Sequence, residues 1–256
     1  MEIHHISAEH LSIGRVREIL DRHIHLALSD DAKRRIVRCR EYLDRKMENP
    51  ERPIYGITTG FGSLCNISVG HDDLAQLQKN LMMSHACGTG ERVPSEIVRL
   101  MLLLKVQSLS YGHSGVQLAT VERLIDFFNA DILPVVYQQG SLGASGDLAP
   151  LAHMSLPLIG LGEVEYEGRV RPAAEVLAEK GWAPIELQSK EGLALLNGTQ
   201  FMSAYGVWAV MQAQRLSAWA DYIGAMSLDA FDGRIEPFCD EVHLCLLYTS
   251  PSPRDA

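Results

Sequence analysis

The run Gly140-Ser141-Leu142-Gly143-Ala144-Ser145-Gly146-Asp147-Leu148-Ala149-Pro150 holds the residues whose types and spacing could do the most distinctive chemistry in this chain. Its closely spaced glycines let the backbone turn sharply and approach itself. If the chain bends tightly at Ala144-Ser145-Gly146, the amide nitrogen of Gly146 can attack the carbonyl carbon of Ala144. Ring closure with loss of water gives an imidazolone, and loss of the Ser145 hydroxyl as a second water leaves an exocyclic methylidene. The product is a strong electrophile made from the chain itself. The residue types suit this chemistry: Gly146 has no side chain to block the attack, Ala144 adds little bulk, and Ser145 supplies a hydroxyl that can leave. Two other glycine-rich loops do not fit. A nucleophile elbow needs Gly-x-Ser-x-Gly, and Asp147 departs from that pattern. A Walker loop needs Lys-Ser/Thr after its last glycine, whereas Asp147-Leu148 follows Gly146, with a carboxylate that would repel phosphate.

Such a loop has to be held by the elements around it. Leu148 to Ile159 reads as a buried helix whose N-terminus lies beside the tripeptide, and Asp147 either assists the cyclisation or caps that helix. Upstream, a helix is expected from about Leu11 to His23, and Ser29 reads as the N-cap of a charged helix running to about Met47, ended by Asn49-Pro50 and Pro53. Tyr55 to Gly62 is a Gly/Thr-rich loop. Asp72-Asp73 then caps a helix through Leu74, Leu77, Leu81 and Met82 to about His85, which Gly88, Gly90 and Pro94 break. Ser95 is read as the cap of a helix from Glu96 to about Tyr111, apolar nearly all round and therefore buried. Gly112 to Gly115 is a turn and Val116 to Ala130 a further helix. Gly162 to Pro172 is the one clear strand-like stretch, with Glu167-Gly168 as its hairpin turn. Ala173 to Lys180 is a short helix ended by Gly181. Lys190-Glu191-Gly192 leads into a long apolar stretch from Leu193 to about Leu228, interrupted near Gly198 and Gly206. Helix dominates, so the class is mainly α.

Composition narrows the function. The chain has 256 residues, 46% of them hydrophobic, which is enough to bury a core. A net charge of -9 without a basic cluster argues against nucleic acid as a partner. The five cysteines lack Cys-x-x-Cys spacing, which suggests neither a disulfide scaffold nor a zinc site and fits reduced thiols in a cytoplasmic protein. No signal peptide opens the chain, and its apolar runs are too short for a membrane partner. His4-His5 and His71-Asp72-Asp73 lack a convergent partner at ligand spacing, so no metal is expected.

The Gly140 run, continued by Leu151-Ala152-His153-Met154, resembles the signature of the aromatic amino acid ammonia-lyases, in which the tripeptide matures into 4-methylidene-imidazol-5-one (MIO). Tyr55 to Gly62, Asn80 to Gly90 and Lys190 to Gln200 resemble the same family in the same order. The resemblance implies an N-terminal MIO-bearing helical domain over residues 1–200, the start of a long central helical bundle over 201–244, and MIO from Ala144, Ser145 and Gly146 as the built-in prosthetic group, with no metal or diffusible cofactor. It makes Tyr55 the base that takes the β-hydrogen, although a free tyrosine titrates near 10, so the site would have to stabilise its phenolate or use it in a concerted step. Asn197 would lie against MIO and the substrate amine, or cap the next helix, or do both. Ser84-His85 resembles the histidine-specific members, which points to L-histidine as substrate, with Gly62 and Ser84 completing the binding pocket around His85. Tyrosine- or phenylalanine-specific lyases and aminomutases of the same family are the alternatives, and from another class a non-catalytic helical assembly module. Full-length members are homotetramers, and their C-terminal halves add further site residues. Residues 245–256 show no helix pattern and no cap; they read as a non-native tail on a truncated gene, which would leave the active site of the chain as written incomplete.

Overall fold

The structure, a computed structural model, describes residues 2–48, 74–142 and 146–249. Tyr55, Gly62, Ala144 and Ser145, and the caps and breakers expected at Asp72-Asp73, Asn49-Pro50 and Pro53, lie outside the described residues. Among the described residues helix dominates, as the sequence predicts. The chain divides into two compact units, Met1–Trp208 and Ala209–Ala256.

The first unit opens with β1 (Ile3–Ile6), which pairs in parallel with β2 (His25–Leu28) across helix α1 (Ile13–Asp21). Helix α1 starts later than expected because Ser12 stands at its N-cap and accepts from the Arg15 amide. Helix α2 (Asp30–Glu48) begins where Ser29 predicts: the Ser29 Oγ accepts the Ala32 amide at 3.2 Å. Asp30 and Asp31 in its first turn and Arg45 and Lys46 in its last match the helix dipole. Helix α3 (Leu74–His85) is followed by the exposed β3 (Thr89–Arg92) and by α4 (Ser95–Ser110).

Helix α4 is the centre of the core, with Leu100, Met101, Leu102, Leu103 and Val106 wholly buried. The expectation that Ser95 caps it is corrected. Pro94 takes the N-cap position, and the Ser95 hydroxyl donates instead to Glu165 at 2.8 Å. With its φ locked, Pro94 is already set for helix entry, so the serine is free to tie α4 to a distant strand. Helix α5 (Leu118–Asn129) packs on α4, β4 (Leu133–Pro134) follows, and β5 (Tyr137–Gln139) pairs antiparallel with β3.

Helix α6 (Leu148–Ser155) tightens into a 3-10 turn at Leu156–Ile159 where one continuous helix was expected. Pro157 has no amide to donate to an α-helical ladder, and Gly160 closes the turn at φ 74°. The predicted hairpin is β6 (Glu163–Tyr166) and β7 (Arg169–Pro172), with Tyr166 opposite Arg169. Glu167 and Gly168 both take positive φ, as a two-residue hairpin turn requires. β4 adds to the outer edge of β6. Strands β2 to β5 were not anticipated; runs of four residues or fewer are too short to display a two-residue alternation, and none of these carries a hairpin-turn signal like the Glu167-Gly168 that marks β6 and β7.

After α7 (Ala173–Glu179), α8 (Glu191–Leu196) and α9 (Gln200–Ala230) divide the long apolar stretch. The interruption falls at Gly198, as predicted, but Gly206 lies unbroken within α9. A lone glycine costs a helix about 1 kcal/mol, which flanking helix formers can outweigh. In the second unit, α9 ends in a turn at Asp232 (φ 48°) before α10 (Asp240–Thr249). The absence of a helix pattern expected from residue 245 is corrected as far as 249: helix continues through that residue, started upstream by Asp240 and Glu241, whose charges favour a helix N-terminus.

Candidate active site

Helices α3, α6 and α8 pack against one another in the first unit. They carry His85 at the end of α3, Gly146-Asp147 at the start of α6 and Asn197 at the end of α8. The junction between the last two is tight. Gly146 is buried at φ 114°, and the Asp147 amide donates to the Gly198 carbonyl at 2.9 Å. A Cβ on Gly146 would lie 2.4 Å from that carbonyl oxygen and 3.0 Å from the Gly198 nitrogen. The closing residue of the tripeptide therefore sits in a cradle that only glycine fills. Gly198 is itself at φ 138°, and a Cβ there would meet Gln200 Oε1 at 2.2 Å. That Gln200 oxygen is buried and has no hydrogen-bond partner among the described residues.

Asp147 is fully buried, but its side chain does not cap α6. One carboxylate oxygen accepts the Ser141 hydroxyl at 2.7 Å, and the other accepts the Met202 amide at 3.0 Å. The carboxylate thus serves the first turn of α9 and ties the segment entering the tripeptide to the helix beyond Gly198. The helix-capping half of the sequence expectation is corrected: the helix its side chain caps is α9, because both carboxylate oxygens are engaged by Ser141 and Met202.

Asn197 stands at the C-cap of α8 and not at the head of the next helix. Its Nδ2 donates to the Leu193 carbonyl at 3.0 Å, which leaves Oδ1 with no partner among the described residues. Its main-chain carbonyl accepts from Lys105 Nζ at 2.9 Å, and the same nitrogen donates to the Ala194 carbonyl at 2.8 Å. Lys105 is a residue the sequence reading missed. The available signal was a single cation inside the apolar run Met101-Leu102-Leu103-Leu104-Lys105-Val106.

At the end of α3, His85 is half-buried and Ser84 exposed. The His85 Nδ1 lies 2.9 Å from the Leu81 carbonyl, which can only accept. Nδ1 therefore carries a proton, and in this tautomer of the imidazole Nε2 is the acceptor. The Ser84 hydroxyl donates to the same carbonyl at 3.1 Å and lies 3.1 Å from His85 Nδ1, which fixes the ring further.

A second histidine fixes the turn that follows α3. The Gly88 amide donates to His153 Nε2 at 3.0 Å, and the ring of Tyr137 meets His153 edge-on. Gly140, at φ 135°, lies close against Gly88 and Ala149: a Cβ there would stand 3.0 Å from Gly88 Cα and 3.1 Å from Ala149 Cβ. The Gly88 bond needs the lone pair of a neutral ring, and burial lowers the His153 pKa below 6.5. Its contribution to stability is therefore complete above the ordinary histidine value and is lost as the pH falls through the lowered one. Thermal melts of the protein should lose stability as the pH drops below about 6.5, and His153→Gln should flatten that slope. An unchanged slope in the variant would place the titration elsewhere.

Glu191, at the start of α8, accepts from the Gln117 amide and side chain, the Thr120 hydroxyl and the Gln188 amide, all within 2.9 Å. Glu191 and Thr120 are fully buried, and these bonds fix the base of α8. Among the described residues no three metal-binding side chains converge, and no helix is long and apolar enough to cross a membrane.

Residues 11–250 match the family profile described as aromatic amino acid lyase. A curated histidine ammonia-lyase from Deinococcus radiodurans is 54% identical over 215 residues, covering 84% of this chain and 41% of that protein. The chain is also similar to a solved histidine ammonia-lyase from Trypanosoma cruzi, with a TM-score of 0.85 at 34% identity, covering 96% of this chain and 47% of that one. A tyrosine aminomutase from Streptomyces globisporus is matched at a TM-score of 0.86 and 33% identity, over 94% of this chain and 45% of that one. The chain spans less than half the length of each of these proteins.

Proposed function

This chain belongs to the aromatic amino acid lyase family, and we propose that the full-length enzyme eliminates ammonia from L-histidine to give trans-urocanate, with MIO formed from Ala144, Ser145 and Gly146. The observation that carries the reading is the cradle at Gly146, which admits no side chain and holds the last residue of the tripeptide against Gly198. Such a cradle suits a ring closed through the Gly146 nitrogen. MIO supplies the electrophile that eases departure of an amine, a poor leaving group.

The remaining work falls to side chains. Tyr55, by its motif, takes the proton from Cβ as the Cβ–Cα double bond forms and the amine departs from Cα. Asn197 accepts from the substrate ammonium through Oδ1, the atom its bond to Leu193 leaves available. His85 selects the substrate: with Nδ1 committed to Leu81, its Nε2 accepts from an imidazole N–H. Ser84 and Gly62 complete that pocket. A phenyl ring offers no such donor. A phenol does, so a tyrosine lyase or tyrosine aminomutase is the alternative that similarity to an aminomutase structure keeps open.

We place the enzyme in the cytoplasm as a homotetramer. The second unit presents Leu216, Trp219, Ile223 and Met226 on one stripe of α9, each more than half exposed. A stripe at that spacing is a face for other helices. The same stripe would serve a non-catalytic assembly module.

The test is the intact mass of the full-length protein, followed by turnover. We expect a deficit of two waters on the peptide spanning Ala144 to Gly146, absent in Ser145→Ala, and release of urocanate from L-histidine in preference to products from L-tyrosine or L-phenylalanine. Faster turnover of tyrosine would move the substrate, and return of the amine to Cβ would identify an aminomutase. An unmodified mass with no turnover leaves the assembly module.

A further inference from the structure

Lys105 is 1% exposed in the middle of the most deeply buried helix, and no carboxylate is among its hydrogen-bond partners. Taking an amine that far from water without a counter-charge is costly. Its two bonds go to one place, the carbonyls of Ala194 and Asn197, where the negative end of the α8 dipole offsets part of that cost. The residue after Asn197 is Gly198, whose carbonyl receives the Asp147 amide and walls in Gly146. One nitrogen in the core is therefore a single residue removed from the cradle.

We infer that Lys105 is a positioning residue for the tripeptide: by tying the Ala194 and Asn197 carbonyls to α4, it holds the Asn197-Gly198 turn against Gly146, so that ring closure and the placing of the Asn197 carboxamide both depend on it. The chemical half of this inference rests on the proposed function; the geometric half does not. The tie survives a change of protonation. Burial brings the amine down to about 7, and the neutral form still has two N–H donors for its two carbonyls.

The test compares full-length wild type with Lys105→Met, which keeps an unbranched side chain and removes the donors. Three readouts are taken: amide hydrogen exchange, intact mass, and kcat against KM for L-histidine. Exchange at the Asp147 amide should quicken about tenfold, as when a local opening becomes easier by one hydrogen bond, while the amides of the Glu163–Pro172 hairpin keep their rates. The fraction of chains with the two-water deficit should fall, and kcat should drop about 100-fold with KM little changed, as for a site displaced by roughly 1 Å. Asp147 exchange within about twofold of wild type, with full maturation, overturns the inference. If Lys105→Met does not fold, Lys105→Gln decides: its shorter side chain reaches one carbonyl at most, and an Asp147 amide as protected as in wild type overturns the tie. If wild type itself shows no mass deficit, the proposed function fails, while the exchange rates still judge the tie.

Discussion

Gly146→Ala in the full-length protein is expected to lose the two-water mass deficit altogether and to reduce turnover by at least about 100-fold. Two independent penalties meet at this position. At φ 114° an L side chain is strained by about 1–3 kcal/mol whatever surrounds it. In addition, the new Cβ would stand 2.4 Å from the Gly198 oxygen, where ordinary contact starts at 3.4 Å. The obstructing atom is backbone, so it cannot rotate aside as a side chain would. The Asn197-Gly198 turn must back away by about 1 Å, and a displacement of that size at a reacting centre costs about two orders of magnitude. The control is Gly168→Ala in the hairpin turn. Gly168 is also at positive φ, but nothing lies within 4 Å of its Cβ position. It should lose about 1–2 kcal/mol of stability, from left-handed backbone alone, and retain the mass deficit. Equal maturation in the two variants would show that the cradle does not govern ring closure.

Those two glycines also show how far sequence carried the reading. Residue type and local pattern were sufficient wherever the determining signal lay nearby: the Ser29 cap, the Glu167-Gly168 turn and the nearly all-round apolar run of α4 all depend on residues within a turn or two. Two polar residues with distant partners were wrongly offered as local caps. Ser95 and Asp147 both stand where a local cap would be, yet Ser95 bonds to Glu165 and Asp147 to Met202, across chain separations that no local pattern encodes. Gly198 and Gly206 were given the same breaking role. Gly198 breaks the helix, its φ of 138° lying outside the helical region; Gly206 faces open space inside a helix that its flanking residues sustain. Of the four stretches singled out in the sequence, the three around α3, α6 and α8 pack together, and Tyr55 to Gly62 lies outside the described residues. What fastens them together through Lys105 and His153 needed coordinates, because a side chain that donates to a main-chain carbonyl or accepts from a main-chain amide leaves no mark on its partner's identity.

Asp147 yields the second large effect, and its two substitutions should separate. Asp147→Ala removes both acceptors from a fully buried position. The Met202 amide at the head of α9 and the Ser141 hydroxyl then lose their partner together. Leaving a buried donor unsatisfied costs about 1–3 kcal/mol, and losing an N-terminal cap costs about 0.5–2 kcal/mol. These figures overlap because the Met202 bond enters both, so about 2–3 kcal/mol is expected, or a Tm lower by roughly 4–12 °C for a domain of this size. Maturation should fail as well, since the carboxylate bridges the two chain segments on either side of the tripeptide. Asp147→Asn is a different case. Its Oδ1 can still accept from Met202, and its Nδ2 can donate to the Ser141 oxygen, which has lone pairs to receive it. Both ties survive with their direction at Ser141 reversed, and the loss is confined to the charge at a helix N-terminus, about 0.3–1 kcal/mol. Thermal melts and intact masses of the two full-length variants test this directly. Failure of Asp147→Asn to mature while it remains stably folded would show that the carboxylate takes part in the ring closure itself and not only in holding its ends. A stable, fully matured Asp147→Ala would show that neither tie matters.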